Sequence, residues 1–411
     1  MISTSSAWKE YIKHSSVFHI KAIMYDNDQN GILLTDSDFM FGTVSFTDAM
    51  SGMNEIEFGA VVTNSFSAVL NNFDGRFDDW KWETISVEFG IARESHSGIA
   101  GAAIAGWAVV GSNGMDEWIH RGTYYIDRPR SIGNTINIEC YDAMDKFNIP
   151  FIGLNETLTY PIQSNTLISE LNDYCRGGSL YNDFTDFTID EFEVDETTTC
   201  RQVLSWILQT LGGYARMSVS NADDILVCDR WTIGEWGDSY TLDGGAFDTW
   251  NTVDTADGGT LDPWDVTTDI NGGDIYESQD PYEIERIKTS TIMIDDVEIT
   301  GIRAISHDNN SSSMVGDSGY IILIQNNPLV TDTNASAVAT RAWGDVEGLK
   351  VRPFEATIFG DPSMEAGDVV IIKDIRGNYH LTTLTSIKFI LGGDMKISCD
   401  ALTPEELKHS M

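Results

Sequence analysis

Between residues 17 and 141, apolar and polar positions alternate with period two in one short run after another, and this pattern limits the possible folds more than any other feature. The runs FHIKAIMY, TISVEFGIA, EWIHRGTYYID and NTINIECYD all carry it. A period of two puts one set of side chains on a core and the other in solvent, as a half-buried strand requires. FHIKAIMY and GILLT flank DNDQNG, so Asn30-Gly31 is read as supplying the positive φ of a tight hairpin turn. The pattern predicts an antiparallel barrel or sandwich.

The period changes between about 150 and 230. In TTTCRQVLSWILQTLGG, Thr199 and Gln202 have capping-box spacing. Val203, Leu204, Ile207, Leu208 and Leu211 then recur at helical intervals before the Gly212-Gly213 stop. TLISELNDYC predicts an earlier helix with Leu167, Ile168, Leu171 and Cys175 on one face, ended by Gly177-Gly178. ARMSVSNADDILVCDRW reads as a hairpin turning at Asn221 to Asp224. From about 282 the strand pattern returns in EIERIKTSTIMI, GYIILIQ, VRPFEATIF, GDVVIIKDI, HLTTLTSIKF and DMKISCDAL. One helix interrupts it, expected to be capped near Thr331 or Asp332 and stopped at Gly348.

At 411 residues the chain exceeds what one hydrophobic core usually serves. The expected class is α+β, mainly antiparallel β. The expected division is 1–148 as an N-terminal β-barrel domain, 149–234 as an α+β middle domain, 235–280 as an acidic insertion, and 281–411 as a second β-barrel domain with one inserted helix.

The insertion contains a repeat. WGDSYTLDGG, WNTVDTADGG and WDVTTDINGG begin at Trp236, Trp250 and Trp264, a period of fourteen residues. Asp-Gly-Gly and Asn-Gly-Gly mark reversals, so the three indoles occupy equivalent places in a small ladder of turns. They supply either local core or a partner-docking surface. IAGAAIAGWAVVG at 99–111 is too short to span a bilayer. It is either a packed β-arch inside the fold or a tongue that docks Ile104 and Trp107 into a neighbouring subunit.

Acidic residues outnumber basic ones 64 to 25, for a formal charge of −39. That balance excludes wrapping of nucleic acid through phosphate contacts and attraction to anionic membranes. MISTSSAWKEYIKHSS has no apolar run after a basic stretch, so no secretory signal is expected and folding is expected in the cytosol. Cys140, Cys175, Cys200, Cys228 and Cys399 are scattered, which suits small buried hydrophobes rather than a disulfide framework or a zinc site.

No catalytic constellation stands out. GxSxG, HExxH and a phosphate loop are absent, and the seven histidines are dispersed. No enzyme activity, cofactor or metal is expected. DNDQNG matches the opening of a calcium loop through Asp26, Asp28 and Asn30, but Ser37 stands where the bidentate Glu belongs, so a plain hairpin turn is expected.

Three stretches taken in order resemble one family. In EWIHRGTYYIDRPRSIGNTINIECYDAMDKFNIPF, a G-x-Y-x-I-D strand precedes a strand ending in Tyr141-Asp142 and a short helix. TTTCRQVLSWILQTLGGYARMSVSNADDILVCDRW adds a helix, a double glycine and a hairpin. In the third stretch, Gly360 to Asp368 (GDPSMEAGD) precedes a strand. Together they are similar to the tail-hub, or baseplate-hub, proteins of bacteriophages and related contractile injection particles.

The resemblance implies two similar small β-barrels per subunit and a homotrimer that closes a six-barrel ring between a hexameric tail tube or distal-tail adaptor ring and a threefold spike or fibre. It further implies a virion protein of the tail tip, assembled in the host cytoplasm beside a tape-measure protein. A separate spike, fibre or lysin would complete the tip, and DNA or effector would pass through the lumen without specific binding. Two other readings remain beside it: a carbohydrate-binding adhesin that uses Trp236, Trp250 and Trp264, and a peptidoglycan hydrolase.

Overall fold

The computed structural model describes residues 2, 4–14, 17–52, 56–91, 117–220, 223–231, 282–284, 286–374 and 376–401. The N-terminal part holds helix α1 (Ser6–His14) and strands β1 (His19–Asp26), β2 (Gly31–Thr35), β3 (Ser45–Ala49), β4 (Ala60–Val61), β5 (Ser65–Asn71), β6 (Trp82–Ile91), β7 (Glu117–Ile126), β8 (Arg130–Ile132) and β9 (Thr135–Tyr141). The middle holds α2 (Ile152–Asn155), β10 (Ile162–Gln163), α3 (Ser164–Cys175), β11 (Leu180–Asn182), β12 (Thr188–Ile189), α4 (Cys200–Leu211), β13 (Gly213–Ser220) and β14 (Asp223–Arg230). The C-terminal part begins with β15 (Tyr282–Glu283), β16 (Ile287–Ile292), β17 (Val297–Ile305), β18 (Ser312–Gly316), β19 (Tyr320–Ile324), α5 (Ala335–Val346) and β20 (Lys350–Val351). It ends with β21 (Phe354–Phe359), β22 (Val369–Lys373), β23 (Tyr379–Thr383), β24 (Ser386–Ile390) and β25 (Asp394–Cys399). The fold is α+β and mainly antiparallel β, as the alternation predicts.

The strand-rich ends of the chain are not separate sheets. One 12-stranded sheet runs β16-β21-β25-β24-β3-β5-β9-β7-β6-β1-β2, with β8 paired to β9. The crossing point is the antiparallel pair β3 and β24, where Phe46 lies opposite Phe389. Phe46, Phe89 and Phe389 are buried there, with Phe46 and Phe389 stacked at 5.1 Å. Among the described residues, no ladder joins the β16 end of this path to the β2 end, so a closed barrel is not seen in either half.

The two halves nevertheless repeat one pairing pattern. In chain order the N-terminal strands β3, β5, β6, β7, β8 and β9 correspond to β16, β21, β22, β23, β24 and β25. First pairs second in both sets, as β3 with β5 and β16 with β21. Second pairs sixth, as β5 with β9 and β21 with β25. Third pairs fourth, as β6 with β7 and β22 with β23. Fifth pairs sixth, as β8 with β9 and β24 with β25. All eight ladders are antiparallel.

Local signals place α4 where they predict it. Thr199 Oγ1 accepts from the Gln202 amide at 3.2 Å, and the Thr199 amide donates to Gln202 Oε1 at 2.9 Å. Gly212 closes the helix in the left-handed region at φ 71°. Val203, Leu204, Ile207, Leu208 and Leu211 are buried, packed with Leu167, Ile168 and Leu171 of α3.

Two local readings need correction. In the β1–β2 turn the positive φ belongs to Gln29 (62°), not to Asn30-Gly31. Asp26 Oδ1 gathers the amides of Asp28 at 3.1 Å and Asn30 at 2.8 Å, which lengthens the loop and moves the reversal. Helix α5 starts at Ala335 behind Asn334, because Thr331 to Asn334 form a turn in which Asn334 Oδ1 accepts from the Thr331 amide at 2.8 Å.

Candidate functional site

The most unusual chemistry is a buried charge network where three regions of the chain meet. It begins with a β-bulge: the β6–β7 ladder pairs Val87 with Gly122 but Glu88 with His120, so Arg121 is the extra residue. Arg121 is buried, and its Nη2 donates to Asp48 Oδ2 of β3 at 2.8 Å. The guanidinium stacks 4.3 Å from the Phe46 ring centroid, and Nη1 lies 3.9 Å from Glu365 Oε1. Arg216 Nη1 of β13 donates to the same Glu365 oxygen at 3.4 Å, and Ser218 Oγ donates at 3.0 Å.

Glu365 belongs to the loop Gly360 to Asp368. That loop is almost wholly buried. Its backbone and side-chain groups therefore take partners inside the fold. The Ala366 amide donates to Asp48 Oδ2 at 3.1 Å, the Glu365 amide to Asp368 Oδ2 at 2.7 Å, and Trp8 Nε1 of α1 to Asp361 Oδ1 at 3.2 Å. Gly367 sits at φ 97°, and a Cβ there would come within 3.2 Å of the Tyr214 hydroxyl, so both conformation and space call for glycine.

Asp142 extends the network as the N-cap of the 3-10 turn Ala143–Phe147. Its carboxylate accepts from the amides of Met144 and Asn64, each at 3.0 Å. Asn64 Nδ2 in turn donates to Asp48 Oδ1 at 3.1 Å. Burial pushes the Asp142 carboxyl up to about 8, against the pull of those two amides. Burial alone would push the Glu365 carboxyl up as well, but the Arg216 and Arg121 charges outweigh it and hold it below the ordinary range. Burial likewise works against the Arg121 charge, but the acidic groups around it, Asp48 foremost with Tyr124 and Glu365, together outweigh burial, so the Arg121 pKa is raised.

The cavity among these groups is about 20 Å³, room for a water molecule but for no substrate. Its chemistry is that of a lock: each carboxyl group lining it accepts from an arginine or from backbone amides. Among the described residues no group of three His, Cys, Asp or Glu is arranged to hold a metal. No described helix is long and apolar enough to cross a membrane. The described cysteines are free thiols, four of them buried and Cys175 partly so.

The DNDQNG loop is a side-chain-closed hairpin turn. Asp26 Oδ2 takes the Lys81 ammonium at 2.7 Å, so an organic cation already occupies the charge that calcium would need. That pairing holds the Asp26 carboxyl down at about 2, helped by hydrogen bonds from Asn30. The β22–β23 turn repeats the device. Asp374 Oδ1 accepts from the amides of Arg376 and Asn378 at 2.8 Å each, and Asn378 Nδ2 donates to Oδ2 at 2.9 Å.

The sequence-predicted contact residues Ile104, Trp107, Trp236, Trp250 and Trp264 lie outside the described residues. Sequence reasoning missed Arg121, Asp48 and Arg216, whose only local signal is a charged residue within a strand, and Glu365 in the loop between β21 and β22. It also missed a group of exposed apolar side chains on neighbouring loops: Phe41 after the Asp36–Asp38 turn, Phe73 after β5, and Ile132 at the β8–β9 turn.

No family model and no curated protein matches the sequence. Solved structures do show similarity. The 43 kDa tail protein of prophage MuSo2 from Shewanella oneidensis is 12% identical, with 94% of this chain and 98% of that chain covered and a TM-score of 0.44. The prophage tail protein gp18 from Listeria monocytogenes EGD-e is 9% identical, with coverage of 95% and 97% and a TM-score of 0.46. The tail protein from Neisseria meningitidis MC58 is 11% identical, with coverage of 93% and 97% and a TM-score of 0.47.

Proposed function

We propose that this chain is a structural component of a phage tail tip or a related injection particle, a hub whose three copies close a ring around a channel. The observation that carries the reading is the repeated strand pairing: two six-strand units in one chain, joined edge to edge by β3 and β24. A trimer of such chains presents six similar units. It can therefore meet a hexameric tube or adaptor ring on one side and a threefold spike or fibre on the other.

Two further features support it. The three sequence stretches that resemble tail hubs fall on the bulged strand β7 and on β9 with the Asp142-capped turn after it, on α4 with the β13–β14 hairpin, and on the buried loop Gly360 to Asp368. The internal lock ties these three together, which suits a part that must hold its shape under load. The formal charge of −39 suits a conduit, since an acidic lumen repels DNA and lets it slide. In this reading the two units take the places of the ring's two tube domains in each subunit. The partners are the tube or adaptor, the tape-measure protein and a separate spike, fibre or lysin.

Mass photometry and negative-stain imaging of the purified chain test the proposal. A threefold ring with a central opening is expected. An obligate monomer that binds neither tube nor adaptor protein overturns it.

A further inference from the structure

We infer that β8 and β16 are the two halves of one interface between copies of this chain, β8 of one copy pairing antiparallel with β16 of the next. The inference rests on the ring reading above and specifies where the ring is joined.

The argument comes from the internal repeat. Within one chain, the first strand of the N-terminal unit, β3, pairs antiparallel with the fifth strand of the C-terminal unit, β24, from Ser45 opposite Ile390 to Ala49 opposite Ser386. The converse combination is the first strand of the C-terminal unit, β16, with the fifth strand of the N-terminal unit, β8. Both are edges: among the described residues β16 forms a ladder only with β21, and β8 only with β9. Each leaves one row of backbone groups open, which is the template for strand addition.

The fifth strand follows closely on the fourth in both units, although β7 also pairs with β9 while β23 lies with β22 and β15 in a separate sheet. β7 runs into β8 through three residues and β23 into β24 through two, and each fifth strand then turns back onto the sixth. In the C-terminal unit the outer rim so formed is covered by β3, while in the N-terminal unit no ladder covers it among the described residues. All three residues of β8 are exposed, as are the four central residues of β16. Exposed apolar side chains mark both edges, Ile132 at 61% on β8 and Ile294 at 90% just past β16.

Among the described residues no ladder joins β8 to β16 within the chain. The path from β16 to β9 crosses β21, β25, β24, β3 and β5. At about 4.8 Å per strand step this is roughly 30 Å. The β3–β24 joint supplies the pattern for the occupant of each edge, a second copy, and the contact is head to tail. Repetition alternates N-terminal and C-terminal units, with the same first-to-fifth joint within and between chains, and three copies give six units.

Hydrogen–deuterium exchange on the full-length chain, at assembling and at dilute concentration, tests this. Protection of amides in 130–132 and 287–292 that appears only on assembly is expected. A ring that forms with these amides still exchanging freely overturns the inference and leaves the ring reading standing; a chain that forms no ring overturns both. As a second measurement, Ser131→Glu with Thr289→Glu should raise the concentration needed for assembly by about tenfold. Ser131→Glu with Thr289→Lys should restore it, and Leu33→Glu on the other free edge, β2, should leave it unchanged. Assembly lost in the Leu33 variant and kept in the double-Glu variant would place the joint elsewhere.

Discussion

Phe46 and Phe389 come from opposite ends of the sequence, yet they are register partners on β3 and β24 with ring centroids 5.1 Å apart. Phe389 also meets Phe89 edge-on at 5.3 Å and Phe18 at 6.1 Å. One side chain thus joins the first strand of one unit to the fifth strand of the other and to the sheet beyond. Phe389→Ala should cost about 3–5 kcal/mol, because the rings around it cannot collapse into the space it leaves. Urea denaturation checks this, and a loss below 1 kcal/mol would show that the joint carries little of the stability.

Arg121 neutralises Asp48 and lies beside Glu365, all three buried. Arg121→Ala leaves two carboxylates in a low-dielectric site with less than their full complement of charge, at an expected cost of about 3–5 kcal/mol. Arg121→Lys should recover only part of it, since an ammonium cannot reproduce the planar fork over the Phe46 ring. Thermal melts of the three proteins give the ranking.

Asp142 gives a pH dependence of defined sign. Its folded-state value of about 8 lies above the ordinary carboxylate value, so folding favours the protonated form. Its contribution is full below about pH 4 and declines as pH rises through about 8. Asp142→Asn should remove that slope from the stability profile while keeping the acceptor for the Met144 amide. Asp142→Ala should cost about 1–2 kcal/mol as a lost cap. Denaturation curves from pH 5 to 9 decide; a wild-type profile parallel to that of the Asn variant would contradict the assignment.

Asp26 has the opposite sign. Lys81 and Asn30 hold its folded-state carboxyl at about 2, so its contribution is present above about pH 4 and lost as pH falls through about 2. Lys81→Met should raise the Asp26 midpoint toward the ordinary value. Carboxyl carbon shifts followed by NMR report it directly, and an unmoved midpoint would mean that the ion pair does not govern the site.

What sequence reasoning reached, and what it missed, divides by range. Thr199, Gln202 and Gly212 lie within one helix and its caps, so their spacing sufficed to place α4. Asn30-Gly31 was misassigned although the signal was local, because the Asp26 side chain competes with backbone propensity and moves the left-handed residue to Gln29. Asp48, Arg121 and Glu365 lie on three distant segments, and nothing in any of those segments announces the other two.

Several strands, the helices α3, α4 and α5, the apolar faces of those elements and the excess of negative charge were present in the one-dimensional pattern, since each depends on periods of two or 3.6 and on composition, whereas α1, β3 and β5 were not read from it. Which edges met depended on the folded chain: β24 took β3 as its neighbour, the bulge at Arg121 placed a cation in the interior, and the loop Gly360 to Asp368 was buried against it. Backbone pairing carries no side-chain code of its own. The choice among possible strand neighbours is made by the packing of residues such as Phe46 and Phe389 and by the requirement that every buried charge find its partner.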